Sequence, residues 1–259
     1  MADLRFDGAV VLVTGGVRGV GAGIVRSFLE GGATVVTCAR HAPEQPVVEA
    51  GREAEFVTCD VRDPEQAARL VDGVAERRGG LDVVVNNAGG APFAEAATAS
   101  PRFHSKIVEL NLLSALHVSQ RANEVMQRGS GGSVVMVSSV SGTRPSPGTA
   151  AYGAAKAGLD NLTSSLAVEW APKVRVNGLQ VGMVRTENAE LHYGDAESVA
   201  AVGRTVPLQR LAEPREVGEC AAFLASPAAS YVSGATLLVH GGGEVPAFLA
   251  ASNANKGDA

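Results

Sequence analysis

The chain has 259 residues, 46% hydrophobic and 19% charged, with a formal net charge of −5. This composition excludes a disordered chain, and a negative balance without any basic run excludes a nucleic-acid-binding role, which leaves a basic footprint. Cys38, Cys59 and Cys220 lack metal-ligand spacing and suit a reducing compartment, no apolar run approaches the ~18 residues of a membrane helix, and the first strand starts too early for a signal peptide; a soluble, cytoplasmic, metal-free protein is expected.

After a polar lead-in over residues 1–8, the apolar run Val10 to Val13 reads as a short buried strand. The turn Thr14-Gly15-x-x-x-Gly19-x-Gly21 follows, with Arg18 and Val20 inside it, and Ile24, Val25, Phe28 and Leu29 then carry a helical period. Glycines let the backbone turn tightly and approach a ligand, and the helix start offers free N–H groups and a positive dipole end to a diphosphate. A second strand runs over residues 33–38. The position after such a strand reads the adenosine ribose of a dinucleotide: an acid there selects NAD, and a nearby Arg accepts the 2′-phosphate of NADP. Here stand Ala39 and Arg40, with Arg18 facing the same ribose, so NADP(H) is expected. The alternative is two solvated surface arginines.

Residues 41–53 read as a polar excursion with one weak helix between His41 and Gly51, and residues 54–59 as a third strand ending at Asp60-Val61. Asp63-Pro64-Glu65 signals a helix start, and that helix runs to about Arg78. A fourth strand, Leu81 to Asn86, leads into Asn87-Ala88-Gly89-Gly90, and a long helix from Pro101 to Arg128 carries Asn111, a poor interior helix residue. The fifth strand, Gly132 to Ser139, precedes a Gly/Pro-rich turn and then Tyr152-Gly153-Ala154-Ala155-Lys156, which puts Tyr152 and Lys156 on one helix face. A sixth strand (residues 174–179), Gly182-Met183-Val184-Arg185-Thr186, a polar loop over residues 187–206, a helix opening at Glu213-Pro214 and a seventh strand (residues 235–239) complete the pattern. The loop holds Leu191, His192 and Tyr193 and reads either as a substrate lid or as a surface helix. Residues 247–259 read as a poorly ordered tail.

Strands alternating with helices, without a linker-like shift, indicate one α/β domain over residues 1–259. It is a doubly wound, Rossmann-type parallel sheet of about seven strands with helices on both faces.

The glycine turn, the N-N-A-G run at Asn86 to Gly89, and Ser139 followed by Tyr152-x-x-x-Lys156 in this order resemble the short-chain dehydrogenase/reductase family. The resemblance covers about residues 6–245. It implies catalytic roles for Asn111, Ser139, Tyr152 and Lys156, with Asn111 holding a water beside Lys156. It places Gly15, Arg18, Gly19, Val20, Gly21, Arg40, Asp60, Val61, Asn87, Ala88, Gly89, Tyr152, Lys156, Gly182, Val184 and Thr186 against the cofactor. Asp60 also suits a turn ahead of Asp63-Pro64. The family usually has Pro-Gly where this chain has Val181-Gly182, a loss of turn rigidity. The resemblance further implies a homo-oligomer, tetramer or dimer.

The chemistry expected is hydride exchange between NADPH and a ketone or secondary alcohol, such as a 3-oxoacyl thioester or a steroid-like ketone. A free phenol with a pKa of ~10 is a poor base near neutrality. Lys156 beside Tyr152 favours the phenolate, and the Ser139 hydroxyl orients the substrate oxygen. Pocket walls are expected from residues 90–93, 140–147 and 183–195, with Arg144 more often solvated than ligand-bound. The rivals are an NAD-linked alcohol dehydrogenase working oxidatively and a non-catalytic NADP(H)-sensing protein.

Overall fold

The structure, a computed structural model, describes residues 4–251. Its strands are β1 (Val10–Thr14), β2 (Thr34–Ala39), β3 (Val48–Glu49), β4 (Arg52–Glu53), β5 (Glu55–Thr58), β6 (Val83–Asn86), β7 (Gly132–Ser139), β8 (Val174–Val181) and β9 (Thr236–Val239). Seven of them form one sheet in the order β5-β2-β1-β6-β7-β8-β9, with every pairing parallel. The helices are α1 (Gly19–Glu30), α2 (Pro64–Arg78), α3 (Pro101–Val108), α4 (Ser114–Arg128), α5 (Ala150–Glu169), α6 (Ala189–Tyr193), α7 (Ala196–Thr205), α8 (Pro214–Ala225) and α9 (Ala247–Ala251). None of them is long and apolar enough to cross a membrane.

A parallel sheet covered on both faces buries every side chain of its central strands, so those strands read as unbroken apolar runs. β1 shows the division. Val10 and Leu12 join one core with Leu70 and Val74 of α2, Val118 and Met126 of α4, and Leu159 of α5. Val11 and Val13 join the other, with Ile24 and Phe28 of α1 and Val217 and Leu224 of α8. The chain winds from β1 outward through β2 to β5, then returns to build β6 to β9 on the other side. The reversal lies between β1 and β6, and ligands of such sheets bind in the crevice beyond the strand C-termini at that point. Thr14, Gly15, Asn86 and Asn87 meet there.

One sequence expectation changes and others are sharpened. Residues 41–53 hold no helix. Pro43 and Pro46 obstruct one, and β3 and β4 pair as a small antiparallel hairpin whose turn residues Ala50 and Gly51 both have positive φ (50° and 72°), while Val47 is buried under α1. The helix expected from Pro101 to Arg128 is continuous but distorted, with a π-turn at Glu109–Leu113 joining α3 to α4 around the buried Asn111. The segment 187–206 folds as α6 and α7, packed through Ala189 and Val199 on Leu211. Of the tail, residues 247–251 form α9, whereas residues 252–259 lie outside the described residues, as do residues 1–3 of the lead-in.

Candidate active site

At the C-terminal end of β1 the glycine turn is tied to its neighbours by backbone and amide groups. The Gly15 N–H donates to the Cys38 carbonyl at 2.8 Å. Asn87 Nδ2 donates to the carbonyls of Thr14 (3.0 Å) and Gly15 (3.1 Å), and Thr14 Oγ1 accepts from the N–H groups of Asn87 and Ala88. Asn86 Nδ2 donates to Ser119 Oγ at 2.7 Å. The two Asn side chains thus lock β6 to β1 and α4, and Ala88 and Gly89 follow at the strand end. A Cβ on Gly21 would stand 2.2 Å from the Gly15 carbonyl oxygen, so only glycine lets α1 start this close to the turn. Val20 packs against the core beneath.

Gly19 has a φ of +52°, and its N–H donates at 2.9 Å to Oε1 of Glu187. An anionic oxygen therefore already sits on the first N–H of α1. Thr186 lies beside it, its Cγ2 being 3.4 Å from a Cβ built on Gly19. Arg18, the extended residue before α1, and Arg40, just past β2, are exposed, and no ion pair holds either guanidinium among the described residues. Asp60 is engaged elsewhere: Arg62 grips its carboxylate through Nε (2.9 Å to Oδ1) and Nη2 (2.5 Å to Oδ2). That pair holds the Asp60 carboxyl below the usual range, with Arg40 adding to the effect. The helix cap is Asp63, which accepts from the N–H groups of Glu65 and Gln66. Val61 is buried in the core.

Ser139 ends β7, and α5 returns Tyr152 and Lys156 to it. Burial pushes the Tyr152 phenol up, the Ser139 hydroxyl that bonds it pulls it back, and Tyr193 raises it again. Lys156 is 4% exposed, its Nζ donating to the Val137 carbonyl at 2.8 Å and lying 5.6 Å from the centre of the Tyr152 ring. Burial pulls its ammonium down to about 8, against the attraction of Asp160. Asn111 closes the group from the π-turn. Its Oδ1 accepts from the Gly90 N–H at 2.8 Å, and its Nδ2 donates to the carbonyls of Gly90 and Ile107, both at 2.9 Å. The amide of Asn111 thus fixes Gly90, the residue after N-N-A-G, and a Cβ on Gly89 would meet both Asn111 Oδ1 (2.8 Å) and Lys156 Nζ (3.4 Å). The structure brings Asn111, Ser139, Tyr152 and Lys156 together.

Val181-Gly182 needs no Pro to be rigid. β8 continues through Val181, the Gly182 N–H donates to the Val239 carbonyl at 2.9 Å, and Val184 forms a bridge with Ala212. A cavity of about 490 Å³ opens beside this segment, lined by Val140, Thr143, Arg144, Met183, His240 and Glu244 among others. Arg144 is not merely solvated, because its Nη2 pairs with Glu244 Oε1 at 2.8 Å. Tyr193 of α6 lies within electrostatic reach of Arg144, Glu244 and Tyr152, so the 187–206 segment stands over this end of the site. Phe93 covers Gly148 with its ring while remaining 75% exposed. Sequence reasoning missed Arg62, Glu187, His240 and Glu244. Arg62 and Glu187 stood beside residues already singled out, Val61 and Thr186.

A parallel sheet whose switch point meets a glycine turn, with Ser, Tyr and Lys converging next to it, defines the oxidoreductase class of doubly wound proteins. A family model described as enoyl-(acyl carrier protein) reductase matches residues 15–244. An uncharacterised oxidoreductase of Mycobacterium tuberculosis is 36% identical over 244 residues, which cover 92% of this chain and 93% of that one. A tropinone reductase homologue of Arabidopsis thaliana is 35% identical over 249 residues, covering 93% and 92%. The ligand-free aldohexose dehydrogenase of Thermoplasma acidophilum superposes with a TM-score of 0.85 at 32% identity, covering 93% and 95%. The chain belongs to the short-chain dehydrogenase/reductase family of oxidoreductases, which use nicotinamide cofactors.

Proposed function

We propose that this protein is an NADPH-dependent reductase of a ketone, interconverting it with the secondary alcohol. The observation that carries the reading is the convergence of Ser139, Tyr152 and Lys156 within reach of a turn flanked by two uncommitted arginines. The residues fit a dinucleotide: the Gly19 N–H already takes an anionic oxygen from Glu187, and Arg18 and Arg40 carry the charge that a 2′-phosphate needs. Gly15, Gly19, Val20 and Gly21 would hold the diphosphate, and Asp60, Val61, Asn87, Ala88 and Gly89 the adenosine side. Gly182, Val184 and Thr186 would hold the nicotinamide carboxamide, and Lys156 the adjoining ribose. When bound, NADPH supplies the hydride that a carbonyl carbon receives.

The protein's part is to handle the proton. The Ser139 hydroxyl holds the substrate oxygen and the Tyr152 hydroxyl donates to it as negative charge builds there. Lys156, charged nearby, makes the phenolate less costly, which also lets Tyr152 act as base in the reverse direction. The amide of Asn111 sets the position of Gly90 and so of the strand end facing Lys156.

Two features favour a neutral ketone over a 3-oxoacyl thioester that carries an acidic handle. Arg144 spends its charge on Glu244, which leaves little for an acidic handle, and the cavity mixes Val140, Met183 and Leu238 with Thr143, Gln180 and His240. Relatives named as tropinone reductase homologues support the ketone reading. Exposed Val168 on α5 and Leu238 on the edge strand β9 support a homo-oligomer, dimer or tetramer, and the three free thiols support a cytoplasmic setting. The test is turnover of NADPH and NADH over a panel of neutral ketones, 3-oxoacyl thioesters and their alcohols. Faster oxidation of alcohols with NAD would favour the dehydrogenase rival, and cofactor binding without turnover would favour the sensing protein.

A further inference from the structure

Lys156 is almost fully buried, yet its ammonium has three donors and, among the described residues, one acceptor, the Val137 carbonyl. A buried cation held by one neutral carbonyl is costly unless an anion stands near. The anion acting on it is Asp160, one helical turn further along the same face of α5. The Asp160 carboxylate is tethered from β8, where Gln180 donates Nε2 to Oδ2 at 3.1 Å, and the Ser138 hydroxyl of β7, which donates to the Lys156 carbonyl at 3.3 Å, also favours its charged form. Gly142 closes in from above, a Cβ there standing 3.1 Å from Oδ2. Oδ1 is buried and has no hydrogen-bond partner among the described residues. Burial pushes this carboxyl up, while Ser138, Gln180 and Lys156 hold it down.

We propose that Asp160 is a positioning residue of the proton-transfer pair, its tethered carboxylate keeping the buried Lys156 charged and aimed at Tyr152. The proposal rests on the proton role given above to Tyr152 and Lys156. The groups facing the pair from other elements are neutral: Ser138, Ser139 and the Val137 carbonyl from β7, Gln180 from β8, Asn111 from the π-turn. Tyr193 reaches Tyr152 from α6, and Arg144 and Glu244 act on Tyr193 but not on Lys156 or Asp160. Asp160 is thus the carboxylate on this face of α5.

The sign follows without deciding which of the two coupled groups loses its proton first. Removing a nearby negative charge makes the first proton leave the Tyr152–Lys156 pair more easily, whichever side chain gives it up. In Asp160→Asn and Asp160→Ser, the pH at which reduction declines, and the pH at which alcohol oxidation rises, should both move down by about half a unit or more. Asp160→Glu should restore the wild-type profile. The tyrosinate absorbance that Tyr152→Phe abolishes, followed by pH titration of the free protein, should move the same way. Melting curves on each variant establish that it is folded. A neutral variant that is folded, slower and unshifted in pH would show Asp160 to be structural only and overturn the proposal. If Tyr152→Phe itself stays active, the proton assignment fails as well, and the two failures are distinguishable.

Discussion

Ala39→Asp combined with Arg40→Leu should turn the protein from NADPH to NADH. Arg18 and Arg40 flank the place where the proposed 2′-phosphate would lie, and no ion pair restrains either side chain among the described residues. Both are exposed, so each phosphate bond is taken at the low end of charge-assisted bonds, about 1–1.5 kcal/mol. Two such bonds give about 2–3 kcal/mol, a preference of about 30- to 140-fold for NADPH in kcat/KM. The new carboxylate at position 39 repels a 2′-phosphate and accepts the ribose hydroxyls instead. The reacting carbon is remote from the ribose, so kcat with the favoured cofactor should stay within about threefold of wild type. The assay is kcat/KM for both cofactors on one ketone, in wild type, in Arg18→Ala and Arg40→Ala, and in the paired variant. Equal or better wild-type efficiency with NADH would refute the reasoning, because the arginines would then point only at solvent.

Tyr152→Phe should bind NADPH nearly as wild type does while losing about 10²- to 10⁴-fold in turnover, and retention of a tenth of the rate would remove Tyr152 as the acid. Lys156→Ala should weaken cofactor binding and raise the pH at which oxidation sets in, because the phenol loses the cation that favours its ionised form. An unmoved profile would make Lys156 structural. Glu187→Gln should tighten binding of a diphosphate-bearing ligand by about two- to fivefold, since the carboxylate on the Gly19 N–H must leave when a phosphate arrives. Calorimetric titration with ADP-ribose reads this directly, with adenosine, which carries no phosphate, as the unchanged control.

The sheet was legible because its central strands are buried on both faces, which writes them as runs such as residues 10–13 and 134–137. The reacting side chains were legible because Tyr152 and Lys156 sit one turn apart on a helix, a spacing that survives in the sequence. The hairpin of residues 48–53 was not. Its strands are two residues each, too short for any period to register, and Val47 is the part of it that enters the core. Contacts between distant parts of the chain were invisible for a different reason: Glu187 meets Gly19 across 168 positions, and Arg144 meets Glu244 only once β9 has returned. Asp160 was overlooked because a polar residue in a helix ordinarily faces solvent. It is half-buried, with Ser138 of β7 and Gln180 of β8 beside its carboxylate.

The π-turn at Glu109–Leu113 makes chain length, as well as residue identity, a fixed quantity in one stretch of the gene. A π-turn holds an extra residue relative to an α-helical turn. Deleting one codon among positions 109–113 would let the segment close as ordinary α-helix, with α3 and α4 kept in phase because the turn had absorbed the extra residue. Ala115, Val118, Ala122 and Met126 would keep facing the sheet they now cover, but the widened turn that presents Asn111 would be gone and its amide would leave Gly90. A codon lost from the turn between β3 and β4 disturbs only a two-residue hairpin at the surface. Library designs that vary length should therefore leave 109–113 untouched and place their insertions and deletions around Ala50 and Gly51.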